Sequence, residues 1–178
     1  SLYSHTGESE KALSTYKKIL KIDPKNTMSY LGLAMEYDHL GHLEKTIDMA
    51  KHAMDIEPSN TLSHLILGNA YCRAGQSDKA INILRWAAEL DPSSILNHTA
   101  LALAYERNKE YDNALDVCNN AMTLEGDHGS ILWCMGGIYY SKGDMDKSID
   151  SYRKALEFNP EQIIDFLTSD DDREDILQ

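Results

Sequence analysis

The sequence predicts an all-α chain of repeated helix-turn-helix units, each 34 residues long. Three observations lead there. Tyr3, Tyr37, Tyr71, Tyr105 and Tyr139 step by 34, and they are five of only 10 tyrosines in 178 residues. Small residues keep the same step at Ala12, Thr46, Ala80, Ala114 and Ser148, and again at Ala53, Ala87, Ala121 and Ala155, with Ile19 in the remaining slot. Leu33, Leu67, Leu101 and Met135, each followed by Ala34, Gly68, Ala102 and Gly136, form a third register. Self-similarity at such a period marks stacked supersecondary units that share a continuous core.

The elements follow in order. Residues 1–6 read as the end of a truncated first helix, closed by Gly7, and Glu10 to about Ile22 as the second helix of a partial repeat, 1–26. The chain thus looks like a piece cut from a longer protein. Full repeats span 27–60, 61–94, 95–128 and 129–162. Each opens with a first helix of about 14 residues, whose apolar spacing gives a buried stripe. Gly41, Gly75 and Gly143 end it, since glycine takes positive φ freely, and Lys109 stands in the third copy. Second helices start near Glu44, Asp78, Asp112 and Asp146, where an acid suits the positive helix end. Pro24, Pro58, Pro92 and Pro160 stop them, because the residue before a proline leaves α geometry; Gly126 fills the third slot. Asn26, Asn60 and Ser94 then offer N-caps. Glu125 to Gly129 reads as a cap plus turn or as a hinge. Residues 163–178 break the pattern. They read either as a capping helix, with Ile163, Phe166 and Leu167 packed on the last repeat, or as an acidic tail.

In the 61–94 copy, Leu67, Gly68, Tyr71, Ala80, Ala87 and Pro92 resemble the tetratricopeptide repeat pattern, with His64 in place of the usual large aromatic. The likeness covers about residues 1–162. It implies a right-handed superhelical solenoid of stacked hairpins that binds other proteins on its concave face.

Composition narrows the partners. The formal charge is −12 and the pI about 4.9. That disfavours nucleic acid, whose phosphates need Lys and Arg, and anionic membrane surfaces. No apolar run is long enough for a transmembrane helix, so no direct membrane insertion is expected. Cys72, Cys118 and Cys134 lie inside predicted helices without paired spacing. They read as free core thiols in a reducing, cytoplasmic setting.

No cofactor, metal or catalytic chemistry is expected. His39 and His42 sit beside Asp38 without a second ligand pair. His64 and His98, one period apart, would lie on neighbouring helices, too far apart for one zinc ion. Gly136-Gly137 falls inside a helix and reads as a close-packing site. No phosphate loop or nucleophile motif is present. Asn97-His98-Thr99 matches a glycosylation sequon but falls inside a helix.

The resemblance places the binding wall on the first helices. Carried over by register, the partner-binding residues are Leu31, Met35, Leu65, Asn69, Arg73, Thr99, Leu103, Arg107, Trp133 and Tyr140. Asp38, His39, Cys72, Glu106, Gly137 and Ser141 share this wall, and Met28, Leu62 and Leu96 flank it. The carboxylate clamp of the family's chaperone-binding members is not matched, because Leu31, Met35 and Thr99 fill its slots and only Asn69 fits. An apolar floor suits a peptide or amphipathic helix, with Trp133 as an anchor. The expected function is therefore a protein-protein interaction module. Two alternatives stand beside it: a self-associating scaffold, homo-oligomeric through the C-terminal tail, and a non-catalytic targeting segment of a larger protein.

Overall fold

The computed structural model describes residues 2–125 and 128–158, with the side chains of 9–124 and 128–158. Every regular element among them is an α-helix: α1 (Leu2–Ile22), α2 (Thr27–His39), α3 (Leu43–Ile56), α4 (Thr61–Arg73), α5 (Ser77–Leu90), α6 (Ile95–Arg107), α7 (Tyr111–Glu125), α8 (Gly129–Lys142) and α9 (Met145–Phe158). The chain divides into two compact units, Ser1–Asp91 and Pro92–Gln178. The first holds α1 to α5 and the second α6 to α9. Within each, consecutive helices pack as antiparallel hairpins, giving an all-α helical repeat.

Local chemistry sets the helix starts. The side chains of Asn26, Asn60 and Ser94 accept hydrogen bonds from the backbone N–H groups of Ser29, Ser63 and Asn97, at 2.9, 3.2 and 3.3 Å. Each cap residue is extended, and each satisfies an amide that the helix itself leaves unpaired. At the other end, α3 and α5 stop at Glu57 and Asp91, directly before Pro58 and Pro92.

The four hairpin turns are copies of one another. The N–H groups of His42, Gln76, Glu110 and Asp144 donate to the carbonyls of Tyr37, Tyr71, Tyr105 and Tyr139 at 2.8–2.9 Å. The preceding residue is left-handed in each, with φ of 72° at Gly41, 70° at Gly75, 63° at Lys109 and 87° at Gly143. Lys109 therefore keeps the turn without glycine, at a cost of about 1–2 kcal/mol for an L residue in this region. The tyrosine register is held at this turn by its backbone, and three of the four tyrosines are covered there by lysine. Lys45 lies 5.1 Å from the Tyr37 ring centre, Lys79 5.5 Å from Tyr71 and Lys147 5.5 Å from Tyr139.

One expectation fails. The turn expected at Gly7 is absent, and α1 runs unbroken from Leu2 to Ile22. Six residues before Gly7 are too few to nucleate a helix of their own. Extending α1 through the glycine costs only about 1 kcal/mol. The expected junction at 125–129 and the reading of 163–178 fall largely or wholly outside the described residues.

The last hairpin carries an acid-sensitive start. Asp144, just before α9, takes hydrogen bonds from the Lys147 ammonium at 2.9 Å and the Lys147 N–H at 3.3 Å. The side-chain bond, then the backbone bond, holds its carboxyl below the ordinary 3.8. A depressed folded pKa contributes stability above the unfolded value that is lost as pH falls through the folded one. We expect the α9 amides to lose protection as pH drops below 3.8. An NMR titration checks this, and Asp144→Asn removes the dependence.

Candidate functional site

The wall residues lie in two sets, one in each compact unit. In the first unit they come from the neighbouring helices α2 and α4. Leu31 and Leu65 do not reach the surface: they are 1% and 6% exposed. Their registers fall between helices, so they hold the fold and add no apolar floor. The expected wall is corrected on this point. Met28, Met35 and Leu62 do face solvent on the same two helices. Asn69 and Arg73 are exposed beside them. Arg73 is ion-paired with Asp38, 35 residues earlier, so one wall charge already grips the helix before it.

In the second unit the wall comes from α6 and α8. Thr99 is half-buried and donates its hydroxyl to the Ile95 carbonyl at 3.0 Å, a bond inside its own helix. Leu103 is half-buried against the core of Ala102, Leu115, Ile131 and Ile138. Arg107 is exposed. Trp133 is half-buried, its ring 4.6 Å from that of Tyr152 at a tilt of 57°. Part of the indole is therefore spent on packing against its own hairpin. Tyr140 is 62% exposed, and Leu96 is exposed on α6. Ser141 donates its hydroxyl to the Glu106 carboxylate, again 35 residues apart.

The spacing of 35 went unread in the sequence. Asp38 with Arg73 and Glu106 with Ser141 occupy the same pair of positions in their respective repeats. Opposite polarity 35 residues apart is the signal that finds such clips between first helices. A second missed feature is size matching within hairpins. A Cβ placed on Gly68 would come within 3.0 Å of three side-chain carbons of Leu84, and one on Gly136 within 2.9 Å of three ring carbons of Tyr152. Where the second helix carries a large residue, the first helix carries none.

The two histidines one period apart have structural partners. His64 is buried with Nδ1 3.0 Å from the Asn60 carbonyl, and His98 places Nε2 2.8 Å from the Pro92 carbonyl. Among the described residues no three His, Cys, Asp or Glu side chains cluster as a metal site. None of the described helices is long and apolar enough to cross a membrane.

A family model described as tetratricopeptide repeat matches residues 1–26 and 131–162. Another, described as anaphase-promoting complex, cyclosome, subunit 3, matches residues 39–121. The photosystem I assembly protein Ycf3 of Prochlorococcus marinus is 56% identical over 36 residues, which are 20% of this chain and 21% of that protein. The likeness to it is thus about one repeat long. Among solved structures, MamA is 25% identical with a TM-score of 0.74, covering 89% of this chain and 92% of its own. A thermophilic tetratricopeptide repeat protein of Thermus thermophilus is 25% identical with a TM-score of 0.72, over 91% and 88% of the two chains. YrrB, a repeat protein with an unusual peptide-binding site, matches in fold at 21% identity and a TM-score of 0.68, over 94% and 87% of the two chains.

Proposed function

The chain belongs to the tetratricopeptide repeat family of protein-interaction scaffolds, and on that premise we propose that its first-helix wall grips an amphipathic helix or apolar peptide of a partner protein. The observation behind this reading is the exposure of Met28, Met35 and Leu62 on the adjacent helices α2 and α4. The core of that unit is already filled by Leu31, Leu33, Leu65, Leu67 and Leu84. Exposed apolar side chains grouped beyond a complete core mark a contact surface. Methionine suits such a surface, because its unbranched thioether adapts to different shapes. Met28 and Met35 are seven residues apart and so lie on one side of α2. They match a partner helix read at i, i+3, i+4 and i+7. Asn69 and the Arg73–Asp38 pair supply the polar rim. In the second unit Leu96, Tyr140 and the half-buried Trp133 are the corresponding contacts, with Thr99, Leu103 and Arg107 at their margins. No catalytic step and no cofactor belong to this reading.

Peptides selected from a displayed library on the full chain supply the probe. Met35→Glu with Leu62→Glu is expected to weaken their binding by tenfold or more, about 1.4 kcal/mol, in a calorimetric titration. Circular dichroism should remain that of the parent. Unchanged affinity with an unchanged fold would remove the wall as the binding surface.

A further inference from the structure

The formal charge is unevenly shared. Residues 92–178 carry −10 of the −12, and residues 1–91 only −2, with 12 acids against 10 bases. In the second unit Lys142, Lys147 and Lys154 are each ion-paired with an aspartate. In the first, Lys17, Lys45, Lys51 and Lys79 are exposed, and none of them is ion-paired with a carboxylate among the described residues. Asp48, between two of them on α3, lies 4.0 Å from His52 instead. Lys79 donates to the side-chain oxygen of Gln76 at 2.7 Å.

These four ammonium groups are gathered in pairs on two tyrosines. Lys17 of α1 and Lys45 of α3 lie 5.7 and 5.1 Å from the Tyr37 ring centre. Lys51 of α3 and Lys79 of α5 lie 5.9 and 5.5 Å from that of Tyr71. The pattern is the same in both: one lysine 20 residues before the tyrosine, the other eight after it. In the second unit Tyr139 keeps Lys147 but has Asn119 in the earlier place. Each ring attracts its two cations, which offsets their mutual repulsion without neutralising it. Both rings are 8% exposed, yet neither hydroxyl is hydrogen-bonded or sealed from solvent among the described residues. Each bracket therefore offers two full positive charges and one free hydroxyl donor.

We propose that the first unit binds an acidic segment of a partner protein along its second helices, with one carboxylate at each bracket. This surface is made by α1, α3 and α5, with Tyr37 and Tyr71 as its floor, and does not use the methionines of the wall. Helices in contact lie about 8–10 Å apart, and an extended chain advances about 3.3 Å per residue, so acids three residues apart meet Tyr37 and Tyr71 in turn. The probe is a peptide with glutamate at every third position in a serine–glycine filler, titrated into the full chain by NMR beside its glutamine counterpart. The glutamate peptide is expected to shift the ring signals of Tyr37 and Tyr71, with an affinity that falls as salt rises, and the glutamine peptide is expected not to bind. Lys45→Gln with Lys51→Gln should weaken binding by about tenfold or more at low salt, since each bracket loses one charge-assisted contact. Met35→Gln with Leu62→Gln should leave it unchanged, so failure here is separate from failure of the wall. This assignment is overturned if the glutamate peptide does not bind, if the double lysine variant binds it as tightly, if the glutamine peptide binds equally, or if the shifts centre on Arg73.

Discussion

Gly68→Ala is expected to destabilise the first compact unit by about 1–3 kcal/mol, although alanine is the better helix former. Propensity alone favours the change by about 1 kcal/mol. The added methyl, however, would come within 3.0 Å of Cγ, Cδ1 and Cδ2 of Leu84. Leu84 has no room to retreat, since it is fully buried. Interiors are packed at crystal-like density, so the backbone of α4 or α5 must shift. Urea unfolding followed by circular dichroism measures the loss. The partner change gives a sharper test. Leu84→Ala alone opens a cavity and costs about 2–5 kcal/mol. Adding Gly68→Ala to that variant places its methyl in the vacated space, so the two losses should fall well short of additive. Additive losses would mean that the two positions do not oppose each other.

Leu65→Glu should cost several kcal/mol, enough to unfold its unit, because it buries a carboxylate with nothing to pair it. The same change three residues earlier, Leu62→Glu, should alter stability by no more than about 0.5 kcal/mol while weakening partner binding. Both leucines face the same way by register, and only their depth differs: Leu65 is buried and Leu62 exposed. Thermal unfolding of the two variants beside binding of the selected peptides separates a packing residue from a contact residue. If Leu65→Glu folds normally and loses binding, Leu65 belongs to the wall after all.

The contrast shows how far the sequence could be read. Caps, turns and hairpins depend on a few neighbouring residues, so Asn60, Gly75 and Pro92 announced themselves. Even Lys109, the wrong residue for its turn, was placed by the register around it. Depth is different. Whether Leu31 or Met35 reaches solvent depends on the side chains of helices packed against α2, and no local pattern reports that. The pairing of Gly68 with Leu84 was hidden for a similar reason. Gly68 read as one member of a small-residue register, when its smallness answers one large residue 16 positions later. Gly7 shows the reverse limit. A turn residue makes a turn only when a full helix stands on either side of it.

The Asp38–Arg73 and Glu106–Ser141 links have a further consequence. These wall groups are engaged with each other before any ligand arrives. An incoming carboxylate that takes Arg73 must first unlatch it from Asp38, loosening α2 from α4 as it docks. For an acidic partner of the proposed wall, docking would therefore exchange one ion pair for another, and ionic strength would tune it.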